Sequence, residues 1–257
     1  MFNVNRFSAC IVTYNNSDII IKSVDSILGH TEDIHVLVSD NGSTDSTVTD
    51  VKRSFAGDDR VTVIENGKNL GYGVGNNRVL QHLDSEYHVI INPDIEIRDD
   101  VITRMADFMD KNPDVSVLSP RVLFPDGREQ LLPKGYPNIR ALIERRLTPS
   151  KLHKSAEKYI MLDRDLTKCQ TLEVATGCFM FTRSNLLKKE NGFDPRFFMY
   201  FEDFDLSRRL EKHGTLLYNP EFIVYHDWER AGAKSFKYMM IQVSSMIKFF
   251  NKWGWRF

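Results

Sequence analysis

The sequence is poor in cysteine. Its 257 residues include three, Cys10, Cys169 and Cys178, which are too few and too scattered for a disulfide framework or a zinc site. We interpret all three as buried, reduced thiols among apolar or small neighbours, because free cysteine is among the most buried residue types. This interpretation predicts a reducing compartment.

The sequence also lacks a long apolar run. No uninterrupted stretch approaches the roughly 20 residues that a membrane-spanning helix needs. Residues 1–6 show no basic segment followed by an apolar one, so we expect no secretory signal. The predicted location is therefore the cytoplasm or the cytosolic face of a membrane.

An excess of charge of either sign is absent as well. The 34 lysines and arginines are balanced by 35 acidic residues, which gives a net charge of -1. A protein that binds nucleic acid over its whole length is normally far more basic, so we expect no nucleic-acid partner. The hydrophobic fraction of 42% and the charged fraction of 27% are ordinary for globular proteins and exclude global disorder.

Short apolar, β-branched runs alternate with helical patterns in the first half of the chain. The runs predict strands at residues 7–14, 34–38, 61–64, 87–91 and 115–118. Apolar residues at helical spacing predict helices at 18–28, 44–55, 71–83 and 101–109. Such alternation predicts a mostly parallel sheet with helices on both faces.

Polar clusters follow the carboxyl ends of four predicted strands. They are Thr13-Tyr14-Asn15, Asp40-Asn41, residues 66–69 and Asn92-Pro93-Asp94. Ligands of open α/β sheets bind at that edge, so the clusters indicate a binding site. Loops are polar in any case, and one cluster alone would mean little.

Several nucleotide and hydrolase motifs are missing. The turn after the first strand has no glycine, so it lacks the G-x-G-x-x-G of dehydrogenases, and the chain has no P-loop, H-E-x-x-H or G-x-S-x-G. Gly71, Gly73 and Gly75 follow the third strand. They suit either close backbone approach to a phosphate or tight helix–strand packing, and the spacing does not decide between these.

Two acidic motifs are candidates for metal binding and for general-base catalysis. Asp94, just past an apolar strand, could hold a divalent cation that bridges diphosphate oxygens, although Asn-Pro-Asp is also good turn chemistry. Glu202, Asp203 and Asp205 follow an aromatic run. A carboxylate beside aromatic rings suits a general base, because partial desolvation raises its pKa; the alternative is capping of a helix that begins there.

The order of the motifs is informative. From the N-terminus they are Thr13-Tyr14-Asn15, residues 40–45, Asn69-x-Gly71, Asn92-Pro93-Asp94, Gly177, Phe193-Asp194 and Glu202-Asp203-x-Asp205. Over about residues 7–226 this order resembles the family-two inverting glycosyltransferases. The resemblance implies an α/β GT-A fold, which is Rossmann-like and binds nucleotide sugars. It implies one domain over 1–230, with a donor half at about 1–120 and an acceptor half at about 121–230, followed by a helical extension at 231–257.

The resemblance also implies roles on the donor side. Asp40 would accept the imino proton of a uracil or thymine ring, since an ionised carboxylate only accepts hydrogen bonds. Donor-binding positions by similarity are Thr13, Tyr14, Asn15, Asp40, Asn41, Asn69, Gly71, Asn92 and Asp94. Asn92-Pro93-Asp94 matches the family's D-x-D motif with Asn in place of the first Asp, which leaves Asp94 as the main carboxylate for Mg²⁺ or Mn²⁺. His226 matches a position that can complete the metal site, and a histidine ligand favours Mn²⁺ over Mg²⁺.

On the acceptor side, the resemblance implies that Asp203 is the catalytic base. It would take the proton of the attacking acceptor hydroxyl on the face of the sugar opposite the leaving diphosphate. Gly177 is expected to contact the acceptor, and Glu202 and Asp205 are expected to hold acceptor hydroxyls or orient the loop.

Residues 69–77, 92–94 and 198–206 resemble bacterial rhamnosyltransferases that build surface polysaccharides of the O-antigen type. This implies dTDP-L-rhamnose as donor and a glycan acceptor, lipid-linked, at the cytosolic face of the inner membrane. The alternatives are a UDP-hexose donor and a non-catalytic nucleotide-sugar or glycan-binding module. A nucleotidyltransferase is disfavoured, because the first strand is not followed by a Gly-rich loop carrying Arg or Lys.

Two basic segments remain. Residues 134–160 carry seven lysines and arginines against two glutamates, which fits a basic acceptor loop or a solvated helix pair. Residues 234–257 carry five basic residues, seven aromatic ones and no acidic one. A basic, aromatic amphipathic helix is typical of an anionic membrane surface, and the alternative is a terminal helix packed on the domain.

Overall fold

The computed structural model describes residues 5–147, 154–228 and 236–256. Parts of three predictions lie outside these ranges: Lys151 of the basic loop, the domain boundary at residue 230, and Lys234 and Phe257 of the C-terminal segment.

The described residues form a nine-stranded mixed sheet. The strands are β1 (Phe7–Thr13), β2 (Ile34–Asp40), β3 (Val61–Glu65), β4 (Tyr87–Ile91), β5 (Ile95–Glu96), β6 (Val115–Leu123), β7 (Gln170–Thr171), β8 (Phe179–Arg183) and β9 (Thr215–His226). Their order is β3-β2-β1-β4-β8-β6-β9-β5, and β7 pairs with β9. The first four are parallel, β8 runs antiparallel between β4 and β6, and β6 and β9 are again parallel.

Helices cover both faces of this sheet. They are α1 (Ser17–His30), α2 (Thr47–Ser54), α3 (Tyr72–Asn77), α4 (Val101–Lys111), α5 (Ile139–Leu147), α6 (Lys154–Tyr159), α7 (Ser184–Lys189), α8 (Glu202–Leu210) and α9 (Phe236–Trp253). Alternate residues of β1 enter different cores, because successive side chains of a strand point to opposite faces. Ala9 and Ile11 pack with α1, α2 and α4, whereas Cys10 and Val12 pack with α7 and α8.

The predicted strands and helices of the first half are present, with two differences. The helix predicted at 71–83 ends at Asn77 and resumes only as a 3-10 turn at Leu80–His82. β6 has nine residues rather than the predicted four. Its added residues pair with β9 after a shift in register between Pro120 and Arg121.

The cysteine prediction is right for two residues and wrong for one. Cys10 and Cys178 are buried, but Cys169 is exposed. Its neighbours in sequence are Lys168 and Gln170, which place it in a polar surface turn before β7.

The C-terminal helix α9 packs on the domain through its second half. Phe249 and Phe250 are buried in a third core with Phe201 and Phe204 from the aromatic run. The Ser245 hydroxyl donates to the Met199 carbonyl at 2.8 Å. The packed terminal helix that the sequence left open is therefore present, and it supports the segment that leads into α8.

Candidate functional site

The predicted donor residues gather at one edge of the sheet, where β1 and β2 end. The Asn41 amide N–H donates to the Thr13 carbonyl at 2.9 Å, and the Asn15 side chain accepts from the Thr44 amide at 2.8 Å. These bonds tie the loop after β1 to the loop after β2. Tyr14 remains exposed between them, so its ring can meet a ligand.

Asp40 is buried at the end of β2 and organises its own loop. Its carboxylate accepts from the Gly42 amide at 2.9 Å and from the amide and hydroxyl of Ser43. A carboxylate offers about four lone-pair positions, so these bonds leave capacity for one further donor. A pyrimidine imino group would be such a donor.

The three glycines before and within α3 serve close packing. Gly71 has φ +86, and a Cβ there would lie 2.2 Å from the Phe198 carbonyl oxygen. Added Cβ atoms at Gly73 and Gly75 would lie 2.8 Å from Phe193 and Val12. Of the two explanations that the sequence left open, these contacts support packing. The Asn69 side chain accepts from the Gly71 amide at 3.0 Å and so sets this turn.

Asp94 and His226 meet where β5 pairs with the end of β9. Asp94 Oδ1 lies 3.2 Å from His226 Nε2, and neither atom has a hydrogen-bond partner although both are buried. The Asn92 carbonyl accepts from the Ile95 amide at 3.2 Å, so the Asn-Pro-Asp segment is also a turn. The turn and the metal site are compatible interpretations of this segment, because the turn places the Asp94 side chain next to His226.

Gln130 sets the state of the His226 ring. Its side-chain amide N–H donates to the His226 carbonyl at 2.6 Å, so its oxygen is the atom that faces Nδ1 at 2.9 Å. Nδ1 therefore donates a proton to that oxygen, so the neutral form of the ring has its lone pair on Nε2, the atom near Asp94. In that form two acceptors would face each other in a buried place.

A divalent cation fits this arrangement. Two ligands of an octahedral cation at ~2.1 Å and at right angles are about 3 Å apart, close to the observed separation. The described residues hold no group of three or more His, Cys, Asp or Glu that could form an all-protein metal site. Asp94 and His226 would thus hold a cation together with oxygens of a diphosphate.

Asp203 begins α8 beside Gly177. Its carboxylate accepts from the Gly177 amide at 3.2 Å and from the Phe204 amide at 3.0 Å. Burial raises the pKa of Asp203, while the Lys134 ammonium and the two backbone bonds oppose the rise. A raised pKa with an ionised form that is still stabilised suits a general base.

One dipeptide joins this carboxylate to the metal motif. The Gly177 amide donates to Asp203, and the Cys178 carbonyl accepts from the Asn92 amide at 2.9 Å. Burial raises the pKa of Cys178 to about 11, and the charges of Asp94 and Asp203 add to the rise. The two acidic motifs, over a hundred residues apart in sequence, therefore both lie next to this dipeptide.

The family model of glycosyl transferase family 2 matches residues 8–189. The chain belongs to glycosyl transferase family 2. The matched segment contains Asp40 and Asp94 but ends before Asp203 and His226, so the roles of the latter two depend on the geometry above.

Rhamnosyltransferases are among the relatives of this family member. The N-acetylglucosaminyl-diphospho-decaprenol L-rhamnosyltransferase of Mycobacterium tuberculosis is 28% identical over 206 residues, which are 75% of this chain and 66% of that protein. Rhamnosyltransferase WbbL of Escherichia coli K12 is 27% identical over 244 residues, 89% of this chain and 87% of that protein. The chain thus spans just under two thirds of the length of the mycobacterial relative.

Solved structures confirm the predicted GT-A fold. The mannosyltransferase PcManGT from Pyrobaculum calidifontis, in complex with GDP-Man and Mn²⁺, has a TM-score of 0.66 at 16% identity, covering 96% of this chain and 63% of its own. GalNAc-T7 with UDP, GalNAc and Mn²⁺ has a TM-score of 0.67 at 15% identity, covering 96% and 48%.

Asp205 and Glu202, two of the three predicted acceptor-side residues of this family 2 chain, are buried in α8. Asp205 is fully buried, and its carboxylate binds Arg209 at 2.9 Å, the Trp253 indole N–H at 2.8 Å and the Lys252 ammonium at 2.5 Å. It therefore joins α8 to α9 and cannot reach an acceptor. Glu202 is also buried, beneath the first turn of α3, and its Oε2 atom has no hydrogen-bond partner.

Burial, and next the Asp203 charge, raise the pKa of Glu202 well above its ordinary value. A neutral Glu202 next to an ionised Asp203 avoids two adjacent buried charges. Gly177, the third predicted acceptor contact, is buried, with its N–H on Asp203 and its carbonyl on the Tyr72 hydroxyl at 2.6 Å. It positions Asp203.

Sequence reasoning missed Gln130 and Lys134. Gln130 lies 96 residues before His226, in the loop after β6, so no local pattern links them. Lys134 lies in the basic segment that the sequence did single out, and its ammonium is 5.9 Å from the centre of the Phe204 ring. The excess of positive charge in residues 134–160 was thus the available signal for Lys134.

Proposed function

We propose that this family 2 protein is a metal-dependent inverting glycosyltransferase that moves L-rhamnose from dTDP-L-rhamnose to a hydroxyl of a lipid-linked glycan, in the assembly of a bacterial surface polysaccharide. The observation that carries the proposal is the connection through Gly177 and Cys178, which places Asp203 and the Asp94–His226 pair on either side of one dipeptide. The names of the two relatives support the rhamnosyl donor and, for one of them, a diphosphate-linked acceptor.

The residues divide the reaction between them. Asp40 and the loops after β1 and β2 hold the base and the sugar–phosphate part of the donor. Asp203 takes the proton of the attacking hydroxyl as the new glycosidic bond forms and the bond to the nucleoside diphosphate breaks. A bound divalent cation would stabilise the negative charge that develops on the departing diphosphate.

The donor is tested by direct comparison of nucleotide sugars with Mn²⁺ or Mg²⁺. We expect dTDP-L-rhamnose to raise the melting temperature and to be turned over faster than UDP-glucose, UDP-galactose or UDP-GlcNAc, because a ligand that binds only the folded state stabilises it. Faster turnover of a UDP-hexose would contradict the rhamnosyl donor and leave family membership intact. Binding of a donor without transfer or hydrolysis would favour the non-catalytic module.

Membrane association is part of the proposal. Among the described residues, no helix is both long and apolar enough to span a bilayer. The face of α9 that points away from the domain exposes an apolar stripe at Phe236, Met240, Val243 and Ile247, with Lys237 exposed beside it. This stripe suits shallow insertion at the cytosolic face of an inner membrane, next to a lipid-linked acceptor.

The stripe leads to a salt-dependent prediction. The protein should co-sediment with anionic liposomes at low salt and dissociate at high salt, because each nearby Lys or Arg contributes about 1 kcal/mol at an anionic surface. Met240→Glu should weaken the association, and Lys189→Gln on α7 serves as a control away from the stripe. Protein that stays in the supernatant at low salt would contradict the membrane role of α9.

A further inference from the structure

A cavity that none of the predicted donor residues lines lies in the acceptor half. It has a volume of about 360 Å³ and is lined on two sides by the rings of Tyr136 and Tyr159. The loop before α5, the helix α6 and the end of the chain after α9 contribute its other walls. We call it the basic pocket, because Lys158, Arg164 and Arg256 line it.

The charges of the basic pocket do not cancel. Its three cations face one carboxylate, Glu173, which accepts from the Tyr136 amide. No ion pair of Lys158 or Arg256 is found within the described part of the chain, and the Arg256 guanidinium lies 5.4 Å from the centre of the Tyr136 ring. Arg164 donates one N–H to the Thr171 carbonyl at 3.0 Å and keeps its other donors. The lining therefore has a formal net charge of +2, from three cations against one carboxylate.

Charges farther out are paired. Arg208 lies 4.9 Å from the centre of the Tyr136 ring, and Glu211 accepts from the hydroxyl of the same tyrosine. These two opposite charges offset each other, so the excess of positive charge belongs to the pocket itself.

The basic pocket shares a wall with Asp203, the proposed catalytic base. The Tyr159 ring stacks on Phe204, with centroids 6.5 Å apart, and Phe204 directly follows Asp203. Gly135 lines the pocket and directly follows Lys134, whose ammonium is near Asp203. A molecule held in the pocket could therefore extend a neighbouring part toward the base.

We propose that the basic pocket binds the diphosphate of the acceptor substrate. A diphosphate diester carries two negative charges, which matches the excess charge of the lining, and Lys and Arg are the side chains that bind phosphate oxygens best. The tyrosine rings would flank the sugar attached to it. This inference depends on the proposed function, because it assigns the anionic part of the acceptor to a site next to Asp203.

Binding is tested first without any transfer reaction. Isothermal titration calorimetry measures the affinity for inorganic pyrophosphate in the presence of EDTA. EDTA removes the cation that Asp94 and His226 would need to bind the same anion. We expect saturable binding to the wild type. Lys158→Gln and, separately, Arg256→Gln should each weaken it about tenfold, the effect of one charge-assisted contact.

The matched control is Lys189→Gln, which removes the same charge from an exposed position on α7. It should bind pyrophosphate as the wild type does. If the wild type shows no saturable binding, or if Lys158→Gln and Lys189→Gln are indistinguishable, the basic pocket is not an anion site.

The acceptor role is tested with two substrates that carry the same sugar. One is GlcNAc-diphosphate on a short prenyl chain, and the other is an uncharged alkyl GlcNAc glycoside. Lys158→Gln should raise KM for the diphosphate acceptor about tenfold and leave kcat and the KM for the glycoside unchanged. An equal rise for both acceptors would overturn the assignment to the diphosphate.

The two proposals fail in different ways. Absence of transfer by the wild type from every nucleotide sugar would contradict the proposed function, while the pyrophosphate titration would still decide whether the basic pocket binds anions. Normal transfer with no effect of Lys158→Gln on either acceptor would contradict the basic pocket alone.

Discussion

Asp203→Asn should nearly abolish glycosyl transfer while the affinity for the donor stays close to that of the wild type. The carboxylate acts on the acceptor hydroxyl, and the Asn side chain keeps its shape but cannot take a proton. Loss of a general base commonly costs roughly 10²–10⁴-fold in rate. Steady-state kinetics gives the rate, and titration with the nucleoside diphosphate and Mn²⁺ gives the affinity.

The adjacent carboxylate provides the control. Burial raises the pKa of Glu202 well above its ordinary value, which favours the neutral form of this buried side chain. Glu202→Gln replaces that acid with a neutral group of the same shape and should retain most of the wild-type rate. If Glu202→Gln were inactive and Asp203→Asn retained more than a tenth of the rate, the base would have to be reassigned to Glu202.

The pH profile gives a further check on Asp203. Since burial raises its pKa, the rate should fall on acidification already above the ordinary range of aspartate, because the protonated carboxyl cannot accept the hydroxyl proton. This acidic limb should be missing from the residual activity of Asp203→Asn.

Asp94→Ala should lose both transfer and metal-dependent donor binding. Asp94 is the carboxylate of the Asp94–His226 pair, so its loss breaks the link between the protein and the diphosphate. Metal ions contribute several kcal/mol to such reactions, which corresponds to a loss on the order of 10³-fold or more. Unchanged transfer by the wild type in the presence of a chelator would remove the metal from the proposal.

Substitution of Gln130 should also weaken metal binding, but less than Asp94→Ala does. Gln130→Met keeps the volume but no longer accepts from His226 Nδ1, so Nε2 is free to take the proton instead. Loss of such an orienting partner typically weakens metal affinity 10–100-fold. Electron paramagnetic resonance of Mn²⁺, with the nucleoside diphosphate present, measures this affinity directly.

A nitrogen NMR spectrum of the His226 ring distinguishes loss of the hydrogen bond to Gln130 from general disruption of the folded structure. The wild type without metal should show the proton on Nδ1, and Gln130→Met should show a mixture of tautomers. Gln130→Glu serves as the second variant, because its carboxylate still accepts from Nδ1 and should restore part of the Mn²⁺ affinity. A single Nδ1–H tautomer in Gln130→Met would show that Gln130 does not determine the tautomer of His226.

The alternation of strands and helices, with polar clusters after the strands, could be predicted from the sequence because these features are local. A parallel sheet brings the carboxyl ends of its strands to one edge, so the placement of Asp40 and Asn41 followed from the strand assignments alone. The order of the motifs was enough to predict the GT-A fold. Asp94 and His226 were also paired in advance, through a motif order that specifies their roles but not their distance.

The resemblance implied that Asp203 is the base, but the burial of Glu202 and Asp205 could not be predicted from local sequence. Successive residues of a helix point about 100° apart, so Glu202 and Asp205, three residues apart, lie on one side of α8 and Asp203 points in another direction. Which side is buried depends on how α8 is rotated, and α9 fixes that rotation when Trp253 and Lys252 bind Asp205. The sequence by itself determined that acidic residues begin this helix; the packing of two segments 48 residues apart decided that Asp205 is buried.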